Sequence, residues 1–450
     1  MPGHKGNPDF FPKEPLYFYD MTEIPGMDNL FNPTSVLLKL QERIAKAYGA
    51  ENSIICTNGS TGGVLSSIIY AAKRDTDIII ARNCHRSAYS GVFLTGANPC
   101  YIYPEMTDFG VFGGVLPETV ETAIIEHPEA TAVMITSPTF EGFTSDVKAI
   151  SEITKRYQKI LIVDEAHGSH CAFSKSFPKP ATAYADIVIT SLHKSLPAMG
   201  QLSCLLLGEN TDVKRLRDCM SFIHTSSPSY VIMSQCDYLF DKITDKKLWD
   251  DYISRLKEFR KNCEKLDNIK LIGNNYRDKY GICDVDISRL VFLPNMSGKE
   301  FYNVLVNEKI QLEYFGQIYA VGISSCADTK KSFSRLYEAL KIADNLPIYN
   351  AQDASSNPHY KNFPKTAHNS RLTLAGALQT KGAKVKMENC SGLISRKFII
   401  PYPPGVPLLS PGEEITDEAL LYLQSCLSAG CETLGISVEA DSVFLDVCSN

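Results

Sequence analysis

Between about residue 50 and residue 210, short apolar segments alternate with amphipathic ones. The apolar segments are rich in isoleucine and valine, as strands buried in a sheet are. They are Ser53–Cys56, Asp77–Ile80, Cys100–Tyr103, Ala132–Ile135, Ile160–Val163, Asp186–Thr190 and Leu202–Leu206. Amphipathic segments such as Glu118–Glu126 and Val147–Tyr157 have the period of helices. The alternation predicts an α/β fold in which helices cover a mostly parallel, seven-stranded sheet.

The second half of the chain has a different pattern. One long helix is predicted over Tyr230–Asn262, and a smaller α+β domain follows it. The predicted elements of that domain are Ile287–Leu293, Lys299–Asn307, Gln311–Tyr314, Tyr319–Ser324 and Thr329–Ala343. The polar segment Asn345–Pro364 is typical of a linker. We therefore expect a large domain over residues 1–235, a small α+β domain over 236–345, and a linker with a C-terminal unit over 346–450.

Charge and composition limit the kinds of partner. The 450 residues carry a net charge of −6, without the basic field that nucleic acid binding needs. The 14 cysteines lack the spacing of a disulfide framework, and neither a signal peptide nor a membrane helix is predicted. We expect a cytoplasmic protein that acts on a small molecule, with no nucleic acid or membrane partner.

Lys194 is the first residue that suggests chemistry. It follows the predicted strand Asp186–Thr190 in Ser191-Leu192-His193-Lys194. Loops at the carboxyl ends of parallel strands are where α/β sheets bind ligands, so this lysine is placed to carry a cofactor as a Schiff base. Lysines in loops are more often solvated surface residues, and that alternative stands for Lys194 taken alone.

Asp164 lies thirty residues before Lys194, at the end of the strand Ile160–Val163. Pyridoxal phosphate (PLP) works as an electron sink when its ring nitrogen stays protonated, and a desolvated aspartate holds that proton in place. The alternative is that Asp164 only caps the next turn.

Gly59-Ser60-Thr61 follows another predicted strand and opens a helix. Free backbone N–H groups, the helix dipole and two hydroxyls can bind a phosphate there, although an ordinary glycine-rich turn has the same composition. The segment is neither a P-loop nor a dinucleotide fingerprint. We therefore expect neither a nucleoside triphosphate nor a dinucleotide at this segment.

Two histidine-containing segments complete the candidate site. His85 follows the strand Asp77–Ile80 and can stack on a flat cofactor, or serve only in packing. His167 and His170 lie in the loop after Asp164. Their spacing has no matching second cluster, so we predict no metal site.

Several motifs occur in an order that extends over nearly the whole chain. They are Pro2-Gly3-His4-Lys5-Gly6, Gly59-Ser60-Thr61, Arg82-Asn83-Cys84-His85-Arg86-Ser87, Asp164-Glu165-Ala166-His167-Gly168, Ser191-Leu192-His193-Lys194-Ser195-Leu196-Pro197-Ala198, Tyr402-Pro403-Pro404-Gly405-Val406-Pro407-Leu408-Leu409 and Pro411-Gly412-Glu413. The set resembles fold-type I PLP enzymes and, among them, the group III bacterial ornithine/lysine/arginine decarboxylase family. The resemblance is to a short subgroup without an N-terminal wing domain. It implies a transferase-like large domain, a smaller α+β domain and a family-type C-terminal domain.

The resemblance also implies residue roles. Lys194 would hold PLP covalently, Asp164 would bind the ring nitrogen, and His85 and Ala166 would contact its two faces. The phosphate would be held by residues on both sides of the cleft: Gly59, Ser60, Thr61, Ser191 and His193. Thr225 or Ser226 would reach a phosphate across the interface of a homodimer, and the choice between them stays open.

The implied reaction is decarboxylation of lysine, arginine or ornithine to CO2 and a polyamine precursor. Lys194, His193 or His167 would return a proton to the α-carbon. Glu313 would bind the distal cationic group of the substrate, with Glu413 and Glu388 as weaker candidates and a solvated glutamate as the alternative. Two alternatives remain open. One is a different fold-type I reaction, such as transamination or elimination, and the other is a catalytically silent PLP-binding homologue.

Overall fold

The computed structural model describes residues 2–346, 363–364, 370–402, 405–428, 430–440 and 442–449. Its strands, in chain order, are β1 (Asn52–Cys56), β2 (Asp77–Ala81), β3 (Asn98–Ile102), β4 (Ala132–Thr136), β5 (Phe143–Thr144), β6 (Ile160–Asp164), β7 (Ile187–Ser191), β8 (Ser203–Leu207), β9 (Ile269–Leu271), β10 (Asp284–Val285), β11 (Arg289–Pro294), β12 (Tyr314–Phe315), β13 (Ala320–Ile323), β14 (Gly382–Lys386), β15 (Ile400–Tyr402), β16 (Glu432–Leu434), β17 (Ile436–Glu439) and β18 (Ser442–Cys448).

The α-helices connect and cover these strands. They are α1 (Val36–Tyr48), α2 (Gly59–Ala71), α3 (Arg86–Thr95), α4 (Pro117–Glu126), α5 (Val147–Arg156), α6 (Leu192–Ser195), α7 (Val213–Ser221), α8 (Tyr230–Ile243), α9 (Lys246–Cys263), α10 (Gly298–Asn307), α11 (Lys330–Asp344), α12 (Leu374–Gln379) and α13 (Asp417–Ser428). Short 3-10 helices cover Pro8–Phe10, Leu16–Tyr19, Cys171–Phe173, Ala181–Ala183, Asn274–Tyr276 and Met387–Asn389.

All seven strands predicted between residues 50 and 210 form one sheet, in the order β1-β8-β7-β6-β4-β2-β3. Only β8 runs against its neighbours β1 and β7, and every other pairing is parallel. The central strands are apolar because helices bury both faces of the sheet. The predicted α/β fold is therefore confirmed, and the carboxyl ends of the parallel strands share one edge.

The prediction of a single helix over Tyr230–Asn262 is wrong, because the chain forms two helices there, α8 and α9. Asp245 accepts a hydrogen bond from the Lys247 N–H (2.9 Å) and so caps the start of α9. Aspartate favours this position over a helix interior, since its short carboxylate competes for backbone donors. The predicted boundary at residue 235 lies inside α8.

The smaller α+β domain contains a four-stranded antiparallel sheet in the order β12-β13-β11-β9, with α10 packed on it and α11 packed on α10 and α9. The C-terminal unit has two sheets, β14-β18-β17 and β15-β16, and an apolar core to which Phe112 of the large domain contributes. Most of the predicted linker, Asn345–Pro364, lies outside the described residues, as do Pro403 and Pro404. Within the described ranges, no helix has the length and apolar character needed to cross a bilayer.

Candidate active site

The predicted cofactor residues converge at the carboxyl edge of the large sheet. β6 ends at Asp164 and β7 ends at Ser191, directly before α6, which carries Lys194. After β1, which β8 separates from β7 in the sheet, the chain turns into α2 at Gly59. The Ser60 and Ser191 hydroxyls hydrogen-bond to each other, so the start of α2 touches the Lys194 loop.

Lys194 lies against His167. Its Nζ is 3.1 Å from His167 Nε2, and burial lowers the pKa of the amine. Burial also lowers the pKa of His167 well below its usual value, with the neighbouring Lys194 charge acting in the same direction. Both pKa shifts are towards the neutral form of the group, which is the form that can accept a proton or act as a nucleophile.

Asp164 is buried beside this pair. Its Oδ1 accepts the Ala166 N–H (3.0 Å), and its Oδ2 has no hydrogen-bond partner among the described residues. Its negative charge acts on both Lys194 and His85, raising the pKa of each against the effect of burial. A buried carboxylate with a free oxygen can hold a cationic N–H group.

The start of α2 has the features of an anion site. No side chain caps its first N–H groups, and Gly59 has a φ of +70°, which a side chain would strain. A Cβ on Gly62 would lie 2.8 Å from His224 Nε2, so only glycine fits there. Ser60 is half-buried and Thr61 exposed, which places both hydroxyls at the open end of the helix.

His85 is the N-cap of α3. Its Nδ1 lies 2.8 Å from Ser87 Oγ and accepts the Ser87 N–H at 3.3 Å, which fixes the plane of the ring. The ring is otherwise exposed, as a residue that stacks on a ligand must be. Ser87, the final residue of the motif around His85, thus holds the ring in place.

The structure separates the two histidines proposed as proton donors. His167 contacts Lys194, whereas His193 Nδ1 lies 3.0 Å from the Leu202 carbonyl oxygen. The His193 backbone carbonyl accepts the Gly3 N–H (3.0 Å). The N-terminal motif therefore packs on the loop that carries Lys194.

The segment that follows α7 reaches from the site to the surface. His224 is buried against Gly62, and Thr225 and Ser226 are exposed. Thr225 Oγ1 accepts the Ser227 N–H (3.2 Å). This placement leaves both hydroxyl residues accessible to another molecule.

The surroundings of Glu413 disfavour its prediction as a weaker candidate for substrate binding. Its carboxylate is 1% exposed and forms two hydrogen bonds with Arg82, at 2.7 and 2.9 Å. A carboxylate that neutralises a buried arginine is not available to a ligand. Glu388 is exposed in a 3-10 helix of the C-terminal unit.

Glu313 lines a cavity of about 550 Å³ in the small domain. Lys5 of the N-terminal motif, Asp328 and Arg335 line the same cavity, whereas Lys194 does not. The role of Glu313 in substrate binding therefore stays a prediction.

The loop after Asp164 also holds His170, which belongs to a buried polar network. Its Nε2 lies 3.1 Å from Asp286 Oδ2 and 3.1 Å from Ser288 Oγ. Although burial alone would raise the pKa of Asp286, His170 and Arg289 lower it to about 2. These contacts with Asp286 and Ser288 indicate a structural role for His170.

Sequence reasoning missed a group of residues around His167. Arg289 is fully buried and donates to the His167 carbonyl oxygen. The Phe140 ring lies 4.8 Å from the His167 ring and 4.9 Å from that of Tyr314, whose hydroxyl donates to Glu141. The sequence contained one signal of this group. The apolar strand Arg289–Pro294 begins with a charged residue, Arg289, which lies three residues after Asp286.

Two family models match the chain. The model for the Orn/Lys/Arg decarboxylase major domain matches residues 1–282, and the model for the C-terminal domain of the same family matches residues 353–443. Together they cover most of the chain, including the residues gathered around Lys194.

Curated relatives and solved structures agree with this match. The chain is 29% identical to an arginine decarboxylase of Halalkalibacterium halodurans and 27% identical to one of Bacillus subtilis, in each case over 97% of this chain and 91% of the relative. The lysine decarboxylase LdcF of Francisella novicida has the same fold, with a TM-score of 0.83 and 19% identity, over 100% of this chain and 78% of that one. The chain therefore belongs to the Orn/Lys/Arg decarboxylase family and is an amino-acid decarboxylase.

Proposed function

We propose that the protein binds PLP and decarboxylates a basic amino acid, either arginine, lysine or ornithine, to CO2 and the corresponding amine. The observation that carries the proposal is the convergence of Lys194, Asp164 and the uncapped start of α2 at one edge of the sheet. An amine, a buried carboxylate and an anion site are the three groups that a pyridoxal phosphate needs.

The open hydrogen-bonding groups of the site fit this cofactor. The Gly59 N–H donates to the Gln201 carbonyl, but no side chain caps the start of α2, and Asp164 Oδ2 has no partner among the described residues. Lys194 would hold the aldehyde carbon, Asp164 the ring nitrogen, and Ser60, Thr61 and Ser191 the phosphate. When bound, PLP withdraws the electrons that the departing carboxylate leaves on the α-carbon.

The protein's own residues would supply the remaining requirements. His167 Nε2, at 3.1 Å from Lys194 Nζ, would exchange a proton with that amine. The Phe140 and Tyr314 rings beside His167 would exclude water from the reacting bond. His85, fixed by Ser87, would orient the flat ring of the cofactor.

Arginine is the first substrate to test, because the two relatives described above are named arginine decarboxylases. The three amino acids differ only in chain length and in ammonium against guanidinium, so one pocket could admit more than one of them. Glu313 would bind the distal cation, and Glu313→Gln would then raise KM more than it lowers kcat.

The products distinguish this reaction from the other fold-type I reactions. The purified protein is incubated with PLP and each amino acid, and amines and 2-oxo acids are separated by chromatography. Equal amounts of CO2 and primary amine support the proposal. A 2-oxo acid with pyridoxamine phosphate would show a transaminase instead, and PLP binding without any turnover would show a silent homologue.

We also propose that the working unit is a homodimer. Phe222 is 79% exposed, close to the surface residues Thr225 and Ser226, and Tyr17 is 72% exposed. Large exposed apolar side chains of this kind commonly mark an interface. Light scattering would give the mass of two chains, and Phe222→Asp would shift it towards one.

A further inference from the structure

Asp77, Cys100 and His127 form a cluster at the amino edge of the large sheet. Asp77 begins β2, Cys100 lies in the adjacent strand β3, and His127 is the C-cap residue of α4. The candidate active site lies at the opposite, carboxyl edge. The cluster is therefore separate from the residues around Lys194.

Three different ligand atoms meet in this cluster. His127 Nδ1 lies 3.0 Å from Asp77 Oδ2 and 3.1 Å from Cys100 Sγ, and all three atoms are within 4.8 Å of one another. Both contacts use the same ring nitrogen. A proton relay of the kind found in a catalytic triad needs the two nitrogens of the ring to face different partners, so this arrangement is not one.

The cluster has the supports expected of a ligand set. Asn98 Nδ2 donates to Asp77 Oδ1 (3.4 Å), which leaves Oδ2 directed at His127. The His127 N–H donates to the Ala123 carbonyl (2.9 Å), and Thr131 N–H donates to the Asp77 carbonyl (3.0 Å). Side-chain and backbone contacts together fix two of the three ligands.

We propose that Asp77, Cys100 and His127 bind a zinc ion, with water as the fourth ligand. Thiolate sulfur, imidazole nitrogen and carboxylate oxygen are the three zinc ligand types in proteins. Binding forms three protein–metal bonds and releases the Cys100 proton to solvent. The ion would tie the end of α4 to β2 and β3, a structural role distinct from decarboxylation.

The test measures zinc in the purified PLP-loaded protein. The protein is dialysed against a chelator and then against micromolar zinc, and bound metal is counted by mass spectrometry. We expect one zinc per chain in the wild type and a loss of that zinc in Cys100→Ser and in His127→Ala. Zinc should also raise the melting temperature of the wild type by several degrees, but not that of Cys100→Ser.

Cys283 provides a matched control, because it is an exposed thiol outside the cluster. Cys283→Ser should bind zinc as the wild type does. Circular dichroism verifies that each variant is folded, and Asp77→Asn gives a third variant that alters the cluster with little change in volume. The proposal is overturned if the wild type binds no zinc, or if the folded Cys100→Ser and Asp77→Asn variants retain it.

Discussion

Arg82 and Glu413 form a buried ion pair between positions 331 residues apart in the sequence. The pair joins two units, because Arg82 follows β2 of the large sheet and Glu413 belongs to the C-terminal unit. Arg82 also donates to the Leu408 carbonyl (3.1 Å) and lies over the Tyr101 ring. His85 lies three residues after Arg82. The contacts of Arg82 with the C-terminal unit therefore support the loop that carries His85.

Breaking this pair should destabilise the protein strongly. Glu413→Gln leaves the Arg82 charge buried without a counterion, which costs about 3–5 kcal/mol of unfolding free energy. Denaturant unfolding at fixed protein concentration measures this loss of unfolding free energy. Lys384→Gln removes an exposed pair with Glu439 and should change stability much less. An equally small loss in both variants would contradict the account.

The contact of Gly3 with the Lys194 loop gives a second prediction. A Cβ at Gly3 would lie 2.3 Å from the Leu196 carbonyl oxygen, closer than atoms can approach, so Gly3→Ala must displace one of the two segments. We expect at least a tenfold loss of kcat and weaker PLP binding, measured by turnover and by cofactor titration. Gly200→Ala, which meets no atom within 4 Å, is the control. Unchanged kinetics in Gly3→Ala would rule out this coupling.

His167 should matter for turnover more than for binding. His167→Asn removes the group that exchanges a proton with Lys194, and general acid–base groups contribute about 10²–10⁴-fold. Steady-state kinetics should show kcat falling by that range with little change in KM. Lys384→Gln, at an exposed position in the C-terminal unit, should keep the wild-type kcat. A normal kcat in His167→Asn would assign the proton to another group.

Much of this arrangement was predictable from sequence, and the exceptions have physical reasons. Asp164 and Lys194 each lie at the end of an apolar strand or just after it. Because the carboxyl ends of parallel strands lie at one edge of a sheet, the two residues are expected at the same edge. The Arg82–Glu413 pair could not be predicted, because no local pattern reveals a contact between distant segments. The division into α8 and α9 was missed because Asp245 stops and restarts a helix whose apolar period continues.

His224 gives a prediction of pH dependence. Its ring nitrogens have no hydrogen-bond partner among the described residues, and burial lowers its pKa from 6.5 to about 4. Between these two values the unfolded chain binds a proton that the folded chain does not, so stability falls as the pH falls from about 6.5 to 4. The loss amounts to about 3 kcal/mol at most.

The cofactor-free protein should be compared with its His224→Gln variant by urea unfolding at pH 7 and pH 4.5. Carboxylates and the other histidines contribute equally to both proteins, so their effect cancels. The wild type should lose more stability than the variant over this range. Equal losses would mean that His224 is not neutral and buried as described.

The central claim is that Lys194 is the reacting centre of a basic amino-acid decarboxylase. Its most direct test is the release of labelled CO2 from carboxyl-labelled arginine, lysine and ornithine, with wild-type protein and Lys194→Ala side by side in the presence of PLP. We predict labelled CO2 and an equal amount of amine from at least one of the three with the wild type, and none above background with Lys194→Ala. Release of CO2 by Lys194→Ala at the wild-type rate, or no release from any of the three by PLP-loaded wild type, would contradict the claim.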